Sequence, residues 1–221
     1  MLYLQAKTNI IGMHPNRGRF AAELVRRAQA VGDDASFRTI GVWEFVGLTG
    51  EWSRVLALYE FTDGWAGVTE QIRATMQAPP PELAEIYRVA DTMRSGGVDD
   101  ILEPLPGSPD WTTMTGPDRG PLLVSEEVTV PPGGETEYAA YALTCFEAAA
   151  REHGWQLLGV FRHALTDNRV VMHWTATLDG YRSLMSSGVL REWHGRGRAL
   201  HVTWQQELWT AAAGSRFAAP L

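Results

Sequence analysis

Cysteine is almost absent from this chain. Cys145 stands alone, so no internal disulfide can form, and a reducing, cytoplasmic setting is the expectation. Lysine is as scarce, with Lys7 beside 18 arginines. There is no basic excess either: 19 Lys and Arg face 26 Asp and Glu, for a net charge of −7. That balance argues against a nucleic-acid partner, which would demand clustered positive charge. No apolar run reaches the roughly 18 residues of a membrane span, and Met1 to Lys7 lacks the basic-then-apolar order of a secretory leader. The strong chemical signatures are missing as well. There is no phosphate-binding glycine loop with its lysine, no G-x-G-x-x-G after a strand, no H-E-x-x-H, no C-x-x-C and no G-x-S-x-G. Nucleotide hydrolysis, nicotinamide chemistry, zinc proteolysis and serine esterase chemistry all lose ground together.

What remains is an apolar fraction of 45% over 221 residues. A chain of that size buries roughly 70% of its unfolded surface, enough for a core without staples. Nine tryptophans are the unusual feature. Tryptophan is mostly a core residue, and it also lines sites for aromatic ligands.

The chain repeats itself once. Phe20-Ala21-Ala22 returns as Tyr138-Ala139-Ala140, and Ile40-Gly41-Val42-Trp43 as Leu158-Gly159-Val160-Phe161, both at an offset of 118. Arg54-Val55-Leu56 resembles Arg169-Val170-Val171, and Asp63-Gly64-Trp65 matches Asp179-Gly180-Tyr181. The matches keep their order, which points to duplication.

Each copy reads as strand, helix, two strands, helix, strand. In the first, apolar alternation predicts strands over 2–10, 37–46, 54–61 and 98–102. Helical spacing of Phe20, Leu24, Ala28 and Val31 predicts a helix over 19–31. A helix capped by Asp63 runs to about Met76, and another opens at Pro81 or Glu82. In the second, strands are expected over 122–130, 156–164, 169–177 and 201–209, with one helix over 135–152. Tyr138, Ala142, Cys145, Phe146 and Ala149 share a face of that helix, which makes Cys145 a core residue rather than a nucleophile. Trp65 and Tyr181 are expected to pack.

This element order is the split βαβ, or ferredoxin-like, unit. The expected fold class is therefore α+β: tandem ferredoxin-like repeats over 1–105 and 120–221, joined by a linker over 106–119. A sheet with helices on one side leaves its other face needing a partner. The second copy offers one, giving an intrachain dimeric α/β barrel.

Ile40-Gly41-Val42-Trp43-Glu44, Trp52 to Arg54, Leu58-Tyr59-Glu60-Phe61-Thr62-Asp63 and Ile101 to Pro109 together resemble the dimeric α/β-barrel superfamily. The likeness is to its NIPSNAP-like branch, with antibiotic-biosynthesis monooxygenases as relatives. It covers the first copy well and the second in outline. It implies a hydrophobic small molecule held between sheet and helices, and chemistry ranging from cofactor-free oxygenation and cyclisation to haem reactions; the fold does not choose among these.

For residues that carry chemistry, His173 is the first candidate, as a proton acceptor. Arg162 is a candidate anion stabiliser, and His163 lies on the neighbouring strand. Glu60 shares a strand face with Leu56 and Leu58, where desolvation would raise its pKa unless Arg38 or Arg54 pairs with it. Trp174, Trp43, Tyr59, Glu44 and the loop residue His14 are candidate substrate contacts. His194 and His201 read as a solvated helix end; a haem reading would use one as axial ligand and the nearby arginines for propionates. The expectation from sequence is an acid–base enzyme of secondary metabolism. It would act on an aromatic or polyketide-like substrate as a cofactor-independent oxygenase, cyclase or lyase. The alternatives are a non-catalytic binding or stress-response module, and a haem- or reduced-flavin-dependent oxygenase. No cofactor, metal, nucleic acid or membrane is expected, and a homodimer is left open.

Overall fold

The computed structural model describes residues 1–221 except 13, 33–35, 47–52, 78, 80, 115–119 and 219–221. The turn expected at Gly47 to Gly50, Trp52, and the middle of the expected linker lie outside the described residues. The chain forms two compact units. One comprises Met1–Leu102 with Thr210–Ala218, and the other Glu103–Trp209.

The first unit is built from β1 (Leu2–Ile10), α1 (His14–Val31), β2 (Phe37–Phe45), β3 (Arg54–Phe61), α2 (Trp65–Thr75), α3 (Pro81–Asp91) and β4 (Arg94–Pro104). Its strands pair antiparallel in the order β4-β1-β3-β2. That is the order of a ferredoxin-like sheet. Strand alternation puts Val55, Ala57 and Tyr59 on one face, where Phe20, Ala21 and Val25 of α1 cover them together with Ala90 and Met93. Leu56, Leu58 and Glu60 take the opposite face and are also buried, so both sides of β3 are occupied.

The second unit contains β5 (Leu122–Thr129), α4 (Glu135–Cys145), α5 (Glu147–Glu152), β6 (Trp155–His163), β7 (Arg169–Ala176), α6 (Leu178–Ser187), α7 (Val189–Gly197) and β8 (Thr203–Ala211). β5 and β6 flank β7 antiparallel. β8 runs beside β5, fastened where Val202 N–H donates to the Thr129 carbonyl at 2.7 Å. The duplication is thus a duplication of the ferredoxin-like unit, and the α+β class read from the sequence is what the chain adopts.

The repeated Gly-Val-Trp and Gly-Val-Phe motifs have a physical cause. Both second strands slip register at the glycine, between Thr39 and Gly41 and between Leu157 and Gly159. The aromatic ring two residues on then lies across the glycine. A Cβ on Gly41 would sit 2.3 Å from the Trp43 ring, and one on Gly159 2.1 Å from the Phe161 ring.

Several elements differ from expectation. α1 begins at His14, since Pro15 suits a first helical turn, and Asn16 ties it back by donating to the Ile11 carbonyl at 2.8 Å. Asp63 is not the cap of α2: that position is Gly64, at φ 57°, with no side-chain cap. The helix expected over 135–152 breaks at Phe146, where φ is −114°. Phe146 becomes fully buried and Cys145 turns outward, so Cys145 is not a core residue. Trp65 is 47% exposed rather than packed, whereas Tyr181 stacks on Trp155 at 5.8 Å. Helices α6 and α7 split where one was expected, at Gly188 with φ 84°. Among the described residues no helix is long and apolar enough to cross a membrane.

Candidate functional site

The richest chemistry lies between sheet and helices of the second unit. In β5, Val124, Glu126 and Val128 follow one another on the face that carries Trp174 and Met172 of β7. Phe146 packs edge-on against Trp174 at 5.2 Å, which identifies this as the helix-covered side. A carboxylate has therefore been set in the middle of an apolar row, and Glu126 is fully buried there. Trp174 Nε1 donates to one carboxylate oxygen and Gln206 Nε2 to the other, each at 3.1 Å. Burial outweighs these donors and the nearby Trp204 indole, and the carboxyl is pushed up to about 7. A group that titrates there can take or give a proton near neutrality.

Helices α4 and α7 supply the rest. The Tyr138 ring lies 6.1 Å from Trp193 and 6.2 Å from His201. Its hydroxyl is buried and has no hydrogen-bond partner among the described residues. Burial, with the Glu126 charge second, raises its pKa, so it stays a neutral phenol. Trp193 is clamped between Phe146, stacked at 4.5 Å, and Tyr141, whose hydroxyl donates to the Trp193 carbonyl at 2.9 Å. The His194 ring sits 3.9 Å from Trp204 and 6.0 Å from His201. Among the described residues neither His194 ring nitrogen, both shielded from solvent, has a hydrogen-bond partner. Burial, and secondarily His201, lower its pKa to about 4, so the imidazole is neutral. His194 is therefore no solvated helix end, although Arg191, Arg196 and Arg198 around it are exposed.

The residues singled out from sequence fall elsewhere for the most part. His173 is fully buried in β7, but alternation turns it to the face opposite Trp174, where its ring lies 5.8 Å from Phe161. His163 ends β6, buried. Arg162 is half-exposed and paired with Glu103 at 2.6 Å. Glu60 is buried and held by Arg38 at 2.5 Å. Glu44, a candidate substrate contact, pairs with Arg17 at 2.9 Å. Trp43 is buried against Phe217 at 5.2 Å. Tyr59 faces α1 in the first unit. His14 is the first residue of α1, not a loop residue; its side chain lies outside the described residues. Only Trp174 of this set belongs to the Glu126 constellation. Glu126, Tyr138 and Gln206 were not anticipated. The signal for Glu126 was present in the sequence: a glutamate in the alternating row Leu122, Val124, Glu126, Val128.

No known family profile matches the chain, and no curated protein matches it in sequence. Solved structures do match in shape. A candidate monooxygenase from Fusobacterium nucleatum is similar at a TM-score of 0.65 and 8% identity, over 96% of this chain and 92% of that one. An anthrone oxidase-like protein is similar at 0.59 and 13% identity, over 100% and 96%. A haem-binding protein from Thermus thermophilus is similar at 0.50 and 14%, over 95% and 90%. The fold these likenesses define is the dimeric α/β barrel. They also correct the expectation that no cofactor is used: a protein named as haem-binding shares the fold over nearly the whole chain.

Proposed function

We propose that the chain is an oxygenase-type enzyme for a hydrophobic, aromatic or polyketide-like small molecule, with its working site in the second unit around Glu126. The observation that carries this reading is a buried carboxyl poised near neutrality and a half-buried, neutral histidine with no hydrogen-bond partner among the described residues, both set among Trp174, Trp193, Trp204 and Phe146. Aromatic walls favour a flat apolar ligand, and the few polar groups orient it.

The donor set fits haem. His194 is an uncharged imidazole whose ring nitrogens have no hydrogen-bond partner among the described residues, the state in which a histidine binds iron. His194 would hold the iron, and haem would supply activation of dioxygen or peroxide. The chain's own residues then manage protons and water. Glu126, ionised, accepts a proton from an acidic C–H or phenol of the substrate; protonated, it returns one. Gln206 and Trp174 keep the carboxyl oriented through both states. The Tyr138 hydroxyl offers a neutral donor, and the surrounding rings exclude bulk water.

Reconstitution with hemin tests this. The wild type should bind one equivalent with a sharp Soret band, and His194→Ala should lose it while melting as the wild type does. Absence of a Soret band from the wild type, or its survival in His194→Ala, sinks the haem assignment. Glu126→Gln should bind hemin and yet lose the neutral-pH limb of substrate turnover.

A further inference from the structure

The site around Glu126 is closed. Glu126, Tyr138, Trp174 and Phe146 are all buried, so a substrate reaches them only when a covering element moves. Helix α7 is that cover. Its Trp193 stacks on Phe146 at 4.5 Å and meets the Tyr138 ring at 6.1 Å. Its His194 lies 3.9 Å from Trp204, whose indole bears on Glu126. One turn of α7 thus caps the rings that surround the carboxyl. The rest of that helix, Arg191, Glu192, Gly195 and Arg196, is exposed, so outward movement of α7 meets solvent.

The ends and the seam of α7 suit such a movement. At its start Gly188 takes φ 84°, a left-handed conformation open to glycine, and nothing stands within 4 Å of where its Cβ would be. Arg198 and Ala199, just past its end, are exposed. At nine residues α7 is too short to keep its helical bonds alone, so it frays once undocked. The seam is ring contact with few polar ties. Among the described residues the Trp193 indole N–H and both His194 ring nitrogens are buried with no hydrogen-bond partner. Undocking gives these groups water, which offsets part of the lost ring burial. Tyr141 of α4 holds the seam. Its hydroxyl donates to the Trp193 carbonyl at 2.9 Å, and its ring lies parallel to Trp193 at 6.3 Å. The same ring fills the space over Gly197, where a Cβ would come within 2.9 Å of it.

We infer that α7 is a hinged lid over the Glu126 site and that Tyr141 is its latch, a positioning residue rather than a catalytic one. With the latch made, the site is shut to water. With it released, α7 swings about Gly188 and opens a path to Glu126 and Tyr138 for a flat apolar ligand. The inference rests on the reading of Glu126 as the working group, but the movement belongs to the chain alone and is measured without hemin or substrate.

Native-state hydrogen exchange of the full chain in rising, sub-denaturing urea tests it. Amides of α7 should exchange at least about tenfold faster than those of β7, and with a weaker dependence on urea, because the lid opening alone exposes little surface. Labelling with a water-soluble carbodiimide and glycinamide, read by peptide mass spectrometry, follows access to Glu126. Tyr141→Phe keeps the ring and removes the latch, and should label Glu126 at least about threefold faster than the wild type. Glu60, a buried carboxylate of the first unit, is the control and should label equally in both proteins. Exchange of α7 at the rate and urea dependence of β7, equal Glu126 labelling in the two proteins, or a rise at Glu60 matching that at Glu126 overturns the inference. If Tyr141→Phe does not fold by thermal melting, the exchange of wild-type α7 decides alone. A chain that opens α7 yet shows no Soret band with hemin keeps the lid and loses the haem assignment. One that shows the band while α7 exchanges with β7 keeps the haem and loses the lid.

Discussion

Trp174 reaches across the β5–β7 pair to donate its indole N–H to Glu126 at 3.1 Å, and neither side chain meets solvent. The bond gives the carboxyl a partner in an apolar layer, while burial keeps its proton on until about pH 7. An acid whose folded pKa lies above its unfolded value stabilises the fold most at low pH. Below about 4.5 both states are protonated. Between there and about 7 the native state holds a proton that the unfolded chain has released, so stability falls as pH rises, and above 7 the loss is complete. The span corresponds to roughly 3 kcal/mol at most. Glu126→Gln should therefore flatten the melting temperature between pH 5 and 7.5 and be the more stable protein at pH 8. Parallel pH–melting curves for the two proteins would show that Glu126 is not the group titrating.

Removing the donor should move that titration in a known direction. Trp174→Phe keeps one aromatic ring but deletes the N–H together with the five-membered part of the indole, so the ionised carboxylate loses one of its partners. The Glu126 titration, followed by carbon NMR of its carboxyl, should shift to higher pH. Stability should fall by at least about 1–3 kcal/mol, the usual cost of leaving a buried polar group short of a bond. A shift to lower pH would mean that water enters in place of the ring and takes over the solvation.

The duplicated unit was legible in the sequence because its causes are local. Strand alternation, helical spacing and the Gly-Val-aromatic motif each recur in order, and each does one physical job in both copies. The site was less legible, because it depends on which face of a strand the helices cover. His173 and Trp174 are adjacent in sequence and point to opposite faces, so the choice between them required knowing that Phe146 lies over Trp174. Glu60 and Glu126 illustrate the same limit. Both are buried glutamates on strands with apolar neighbours, yet Arg38 compensates one and only neutral donors meet the other.

The Arg38–Glu60 pair provides a contrast that can be measured. Glu60 is fully buried and Arg38 only partly so. Deleting the cation takes the ion-pair partner from a carboxylate in the core, whereas deleting both removes the buried charge. Arg38→Met should cost about 3–5 kcal/mol in urea unfolding, and Arg38→Met with Glu60→Leu should recover most of it. A double variant as unstable as the single one would show that Glu60 is held by groups other than Arg38.

The last prediction concerns the glycines that open the repeated motif. At Gly41 and Gly159 a methyl group would meet the ring of Trp43 or Phe161 at 2.3 and 2.1 Å, distances no packed pair of atoms sustains. Those rings are themselves buried, Trp43 against Phe217 and Phe161 beside His173, so neither can swing aside without displacing a neighbour. Overpacking of this kind typically costs about 1–3 kcal/mol, and sometimes more. Gly41→Ala and Gly159→Ala should each lower the melting temperature clearly. Gly18→Ala is the control: nothing stands within 4 Å of the added carbon in α1, and alanine is the better helix former by about 1 kcal/mol, so it should raise stability. Gly159→Ala paired with Phe161→Leu should regain part of the loss, since the shorter side chain vacates the space over the glycine. If the single alanine variants melt like the wild type, the register slip at these glycines is not held in place by the ring two residues on, and the repeat of this motif has some other cause.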